Sequence, residues 1–260
     1  DEGSTLAIKV RQLACTLKDL EIEVSTGRVV DFRATNYLRA QPERGTAPLI
    51  YATHFEMGFV SWPKLGNKKS NAIVESEETA DLLLPKGVYV LAKRFSAKEE
   101  RRRVVAAIYD PKRIRAERVG FENHLNYFHH RGRGLPARFA KGLALYLNST
   151  AVDQYFRQFS GHTQVNATDL RHLRYPSAKQ LVALGKQMTD LMPPQEKIDE
   201  LESLEKNRAE TELMIENETD QALKELAEAD LSELQAKKQQ TVVREIPEQE
   251  WGIQVAREIR

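Results

Sequence analysis

Gly87-Val88-Tyr89-Val90-Leu91-Ala92-Lys93-Arg94-Phe95 and Arg103-Val104-Val105-Ala106-Ala107-Ile108-Tyr109 are two runs rich in β-branched and aromatic residues, a composition that suits a pleated surface. The seven residues between them, 96–102, are charged and short enough to close a hairpin, so an antiparallel pair with its tip in solvent is expected. Towards the N-terminus, shorter apolar runs at 48–52, 58–62 and 72–74 are separated by Pro, Gly, Asn and charged residues, the punctuation of further short strands. Val24, Gly27 and the run 29–33 read as a turn entering another strand. Strands should therefore dominate residues 24–128.

Helical spacing frames this β-rich region. Apolar residues at 6, 10, 13, 17 and 20 line one face of a helix over 6–20. Phe139, Leu143, Leu147, Val152 and Phe156 predict one or two helices over 137–157. A further helix over 178–192 should stop at Pro193-Pro194, since proline cannot continue a helix. From 195 to about 240 there is no Gly or Pro, and Ile198, Leu201 and Leu204 give way to Leu223, Leu226, Leu231 and Leu234. That pattern predicts a long helix, or a helical hairpin broken near 217–220. The expected fold class is α+β: a mixed, mainly antiparallel sheet with flanking helices, followed by the long helix or hairpin.

Composition narrows the function classes. Of the 260 residues 41% are apolar and 30% charged, with a single cysteine, Cys15; one thiol excludes an internal disulfide and a cysteine-based zinc site, and fits a reducing cytoplasm. Cys15 lies among Leu13, Ala14 and Leu17 and reads as a small buried hydrophobe. No apolar run is long enough for a membrane span, and the first residues lack a signal-peptide pattern. The net charge of +1 hides a division: residues 1–176 hold 28 basic and 19 acidic residues, and residues 177–260 hold 11 and 19. A basic front part suggests an anionic partner. His129-His130 are adjacent and His54, His124, His162 and His172 are dispersed, without metal-ligand spacing, so no metal is expected. Glu75, Glu77, Glu78, Asp81, Lys86 and Lys93 do not form a convincing nuclease set on adjacent strands.

Residues 161–176, Gly-His-Thr-Gln-Val-Asn-Ala-Thr-Asp-Leu-Arg-His-Leu-Arg-Tyr-Pro, carry more hydrogen-bonding side chains than a core element requires. The stretch reads as loop, short helix and stop, with Leu170 and Leu173 at helical spacing and Pro176 closing it. Asn166 or Thr168 would serve a purely structural purpose as the helix cap, whereas His162, Thr163, Gln164 and Asn166 also suit a DNA surface. Gln and Asn pair bidentately with adenine and arginine with guanine, which makes Gln164, Asn166, Arg94 and Arg171 candidate base readers. Lys68 and Lys69 in the basic loop 67–71, Lys93, Arg101 and Arg102 around the hairpin, and Arg131 and Arg133 in the glycine-rich break 129–136 suit phosphate contacts. Asn123, His124, Asn126, Tyr127 and His129 fit either loop hydrogen bonds or base-edge contacts.

The 161–176 stretch resembles the motif that ends the target recognition domain of TaqI-like and PstI-like adenine-specific DNA methyltransferases, and more loosely the Gly-x-x-Gln-x-Asn motif of type I restriction specificity subunits. The runs 90–103, 120–128 and 142–150 are similar to the same specificity region, so the likeness covers about residues 25–185. The resemblance implies a DNA target recognition domain at 24–192, an N-terminal linking helix at 1–23 and an acidic helical C-terminal arm at 193–260. It implies double-stranded DNA as partner, and a catalytic domain of the same parent chain that binds S-adenosylmethionine. The chain itself has neither the Asn/Asp-Pro-Pro-Tyr/Phe loop nor the glycine-rich turn after a strand that such catalysis needs, so no catalytic or cofactor residue is assigned and a fragment is expected. Alternatives from other classes are a non-catalytic specificity subunit or adaptor whose C-terminal helices dock catalytic subunits or a second copy, and a helical interaction protein with no DNA role.

Overall fold

The computed structural model describes residues 2–66, 68–96, 102–159, 164–189 and 191–217, together with residue 232. The order of elements is α1 (Glu2–Arg11), β1 (Glu23–Thr26), α2 (Asp31–Ala34), β2 (Leu38–Arg39), β3 (Thr46–Ile50), β4 (Phe55–Glu56), β5 (Phe59–Val60), β6 (Ala72–Val74) and β7 (Leu83–Pro85). There follow β8 (Tyr89–Lys93), β9 (Ala106–Tyr109), β10 (Arg118–Phe121), β11 (Leu125–His129), α3 (Ala137–Leu147), α4 (Thr150–Phe159), α5 (Ala167–His172), α6 (Ala178–Lys186) and α7 (Gln195–Asn217).

The strands divide between two sheets. One has six strands in the order β1-β11-β8-β9-β5-β4, the other five in the order β2-β6-β3-β10-β7. All pairings are antiparallel except β5 with β9 and β10 with β3. β8 and β9 form the antiparallel pair that their composition predicts, with Val90 opposite Ile108 and Ala92 opposite Ala106; residues 97–101 at its tip lie outside the described residues.

Alternation along the strands places the first sheet between two cores. Val90, Ala92, Ala106, Ile108 and Phe128 join Phe139, Leu143, Val152, Leu170 and Leu181 beneath the helices. Their neighbours Tyr89, Leu91, Tyr109 and Tyr127 turn the other way and meet Ile50, Leu84, Val119 and Phe121 of the second sheet. The far face of that second sheet is covered by Val29 and Ala34, which pack with Leu49, Tyr51 and Ile73. The layers are thus helices, six-stranded sheet, five-stranded sheet and a small cap around α2. Val10, Leu17, Ile198 and Leu201 belong to the helical core as well.

Several elements depart from their sequence patterns. The helix expected over 6–20 ends at Arg11. Beyond it the Asp19 carboxylate accepts the Thr16 N–H and hydroxyl, both at 2.7 Å, a local turn that competes with helix. Cys15 is only half-buried and pairs through its backbone with Tyr175, while Leu17 and Leu20 still reach the core. The strand expected over 29–33 is reduced to a bridge between Val29 and Glu122, because Asp31 opens α2 instead. The helix over 178–192 ends at Lys186. Of the long helix, the described part is α7, and residues 218–231 and 233–260 lie outside the described set.

Two contacts give stability predictions. A Cβ on Gly142 would lie 1.7 Å from the Leu181 carbonyl oxygen, and one on Gly185 1.7 Å from that of Arg138, so α3 and α6 cross with their backbones touching. Gly142→Ala and Gly185→Ala should each destabilise the protein by about 1–3 kcal/mol or more, the usual cost of overpacking, read as a lowered urea midpoint. The second contact is His54, which is fully buried. Its Nδ1 accepts the Tyr51 N–H at 3.0 Å, so the neutral ring carries its proton on Nε2 and donates to Asn71 Oδ1 at 3.1 Å. Burial holds the His54 pKa below its ordinary 6.5, and burial lowers that of His129 too. The unfolded chain then binds more protons at these two sites between each folded pKa and 6.5, so their contribution to stability is level above about pH 6.5 and falls as the pH drops below it. His54→Asn should make the urea midpoint less sensitive to acid between pH 7.5 and 5.5.

Candidate nucleic-acid interface

The turn between β10 and β11 is tied down on three sides. Glu122 N–H donates to Ile50 O at 3.1 Å, Asn123 N–H to Val29 O at 2.9 Å and Arg94 N–H to His124 O at 2.9 Å. Arg94 O in turn accepts Val165 N–H at 2.7 Å, which draws residues 164–166 alongside the end of β8. The buried carboxamide of Asn126 clamps the same segment by donating Nδ2 to Val165 O at 2.7 Å. Val165 points inward and is fully buried, so its neighbours Gln164 and Asn166 face the other way, as extended backbone requires, and both are half-buried.

Arg94 is held in the middle of this surface. Its Nε donates to Asn166 Oδ1 and its Nη1 to Asn123 O, both at 3.3 Å, and its guanidinium lies 5.7 Å from the centre of the Phe95 ring. The Phe95 ring is in turn 4.9 Å from that of His124, whose Nδ1 meets the Glu122 carboxylate. Asn166 precedes α5 and completes a capping box with Asp169, whose carboxylate accepts the Asn166 N–H at 2.8 Å. Asn166 therefore both starts a helix and orients an arginine.

A second lobe adjoins the turn. The Asp31 carboxylate accepts the Tyr51 hydroxyl and Lys69 Nζ, each at 2.8 Å, and Lys69 Nζ lies 5.1 Å from the Tyr51 ring centre. The ion pair with Asp31 raises the Lys69 pKa, aided by the charge of Glu122; burial and the Asp31 bond push the Tyr51 phenol well above its ordinary range. Glu122 thus sits between the two lobes. Lys68 is exposed beside Lys69, and Phe32 on α2 is 77% exposed with the Arg33 guanidinium 5.5 Å from its ring.

The remaining candidates lie elsewhere. Lys93 ends β8 opposite Leu125 and is half-buried. Arg102 Nη1 donates to Asn148 O at 2.6 Å, and Arg103 is buried with its guanidinium on Ser96 O at 2.7 Å and its N–H on the Asp153 carboxylate at 2.6 Å; these bonds brace the hairpin base against α4. Arg171 Nη2 donates to Val24 O at 2.9 Å. Arg131 and Arg133 are exposed at the opposite end of β11 from Asn123. There Arg131 and Gly132 adopt positive φ in a turn closed by mutual His130 and Arg133 backbone bonds. Arg101, His162 and Thr163 lie outside the described residues.

Burial overturns three base-edge candidates. Asn126, Tyr127 and His129 are 0%, 1% and 5% exposed; they occupy β11 and serve the interior. The Ser25 and His129 pair, with Oγ and Nε2 2.8 Å apart, also has the wrong proton for nucleophilic catalysis. Gly132 N–H donates to His129 Nδ1 at 2.9 Å, so the neutral ring bears hydrogen on Nε2 and cannot take the serine proton. Sequence reasoning left Asn123 and His124 undecided and did not single out Glu122, Asp31 or Tyr51, although Glu122 falls within the run 120–128.

No family model matches the chain. Over 201 residues, 77% of its length, the chain is 48% identical to the Type II methyltransferase M.PstI of Providencia stuartii, of which it covers 40%. Over 182 residues, 70% of its length, it is 50% identical to the Type II methyltransferase M.BsuBI of Bacillus subtilis, of which it covers 36%. Most of this chain is thus similar to Type II methyltransferases, and it spans about two-fifths of the length of these curated relatives.

Proposed function

We propose that this chain is the DNA target recognition part of an adenine-specific, S-adenosylmethionine-dependent methyltransferase of a cytoplasmic restriction-modification system. The observation that carries this reading is the joining of Arg94, Asn166 and Gln164 at the Asn123–His124 turn. Three side-chain types that read base edges are held on one surface by fixed backbone, and a second lobe brings Lys68 and Lys69 for phosphate. Phosphate contacts position such a domain and base contacts choose its site. The similarity to M.PstI and M.BsuBI supports the methyltransferase context.

The glycine-rich turn after β11 does not fit S-adenosylmethionine. Gly132 and Gly134 follow β11, but a Cβ on Gly134 would lie 2.6 Å from the Gly87 Cα and Val88 N. That glycine lets two backbones touch and leaves no cradle for a nucleoside. Cofactor binding and methyl transfer are therefore assigned to a separate catalytic domain of the parent chain. An adaptor that docks separate catalytic subunits remains the competing class, favoured by the 23-residue α7. An Asn-Pro-Pro-Tyr motif in the same reading frame supports the methyltransferase, and catalytic motifs encoded only in a separate gene support the adaptor.

Duplex binding by the full chain should weaken steeply with salt. Four phosphate contacts would cost about a hundredfold in affinity between 50 and 200 mM salt, and an affinity that does not change with salt would overturn the reading. Gln164→Ala should reduce discrimination between the preferred duplex and a one-base variant by about 1–3 kcal/mol, with little effect on melting. Asn166→Ala should do the same while also costing about 1 kcal/mol of stability through the lost cap. Equal weakening on every sequence would remove these two residues from base reading.

A further inference from the structure

Glu122 is 2% exposed, yet both of its carboxylate oxygens are directed at one residue. Oε2 accepts the His124 N–H at 3.0 Å and Oε1 meets His124 Nδ1. A carboxylate only accepts, so His124 carries hydrogen on Nδ1 and the ring plane is fixed. The His124 side chain itself is 52% exposed, with one face against Phe95. A buried carboxylate that spends both oxygens on orienting an exposed imidazole is a costly arrangement for a loop that three backbone bonds already hold. The same arrangement recurs beside it, where Arg94 is aimed by Asn166 Oδ1 and Asn123 O.

We infer that His124 is a specificity-determining residue that meets a base edge of duplex DNA through Nε2, and that Glu122 is its positioning residue. This rests on the target-recognition reading and adds to it a residue and a support for that residue. Nε2 is the ring nitrogen that Glu122 leaves open. In the neutral ring it accepts, as the amino groups of adenine and cytosine require, and in the imidazolium it donates, as guanine requires. A base edge is assigned rather than a phosphate because the His124 ring stands with Arg94, Asn166 and Gln164, whereas Lys68 and Lys69 stand in the other lobe.

The test uses the full chain and a randomised duplex library to define the preferred sequence, followed by titrations on that duplex, on its single-base variants and on an unrelated duplex. His124→Ala should lose about tenfold in discrimination at one base-pair position and leave affinity for the unrelated duplex unchanged. Glu122→Gln, which keeps a single acceptor for two His124 donors, should lose part of that discrimination, and Glu122→Leu should lose it as His124→Ala does. Nitrogen NMR of the histidine rings should show the Nδ1–H form of His124 in the wild type and its loss in Glu122→Leu, a readout that separates a positioning defect from unfolding. Discrimination unchanged in His124→Ala, in a chain that still selects a sequence, would overturn this inference and leave the target-recognition reading standing. Uniform weakening on all duplexes would assign His124 to phosphate and overturn it likewise. A wild-type chain that binds no duplex would overturn both.

Discussion

The central strands of the six-stranded sheet, β8, β9 and β11, are buried on both faces. Tyr89, Leu91 and Tyr127 press against the second sheet while Val90, Ala92 and Phe128 press against the helices. Strands buried on both faces leave little room for polar side chains, so such groups gather at strand ends and the loops that join them. The groups that form the candidate interface obey that constraint: Arg94 and Phe95 follow β8, Glu122, Asn123 and His124 join β10 to β11, and Gln164 and Asn166 precede α5. Both sheets contribute, since β10 belongs to one and β8 and β11 to the other, and the turn between β10 and β11 is one of the places where the chain crosses from one layer to the next.

Crossings between layers bring polar backbone close to the interior, and buried side chains in several parts of the fold are occupied in satisfying it. Asn126 donates to Val165 O, Asn71 donates to Ala40 O at 2.9 Å and Lys64 O at 3.2 Å, and Asn148 donates to Ala106 O at 3.0 Å. Each is a buried carboxamide bound to backbone of a distant segment, a bond worth about 1 kcal/mol when made and more when broken. These residues look like surface chemistry in the sequence and are masonry in the fold. Asn71 belongs to the basic loop 67–71, yet it is 1% exposed and also accepts Lys64 N–H at 2.9 Å.

That exchange of roles explains what the sequence made legible. α3 and α4 follow from helical periodicity, whereas β8 and β9, buried at nearly every position, follow from their run of β-branched and aromatic residues. The 6–20 helix fails although its spacing is correct, since the Thr16–Asp19 turn delivers Leu17 and Leu20 to the same core by another path. The 29–33 strand fails because Asp31 is fixed by Tyr51 and Lys69, partners 20 and 38 residues away. Two sheets rather than one could not be read either, because β2, β4 and β5 are two residues long and their pairing is decided by tertiary contact. Within the site, Gln164 and Asn166 stand out by composition, but the bond from Arg94 spans 72 positions, and no local pattern encodes that meeting.

Pre-orientation is the energetic consequence of the site's construction. A free arginine side chain loses up to about 2 kcal/mol of rotamer entropy when it is fixed, and Arg94 has part of that loss already incurred in folding, through Asn166, Asn123 and Phe95. The bonds at 3.3 Å are long enough to be exchanged for shorter ones to a base, so the arginine is aimed without being consumed. Lys69 is the opposite case: its 2.8 Å bond to Asp31 sits beside the Tyr51 ring, and any phosphate must compete with a carboxylate already in place. On the proposed reading, selectivity would fall to the lobe around Arg94, and attraction to exposed cations such as Lys68.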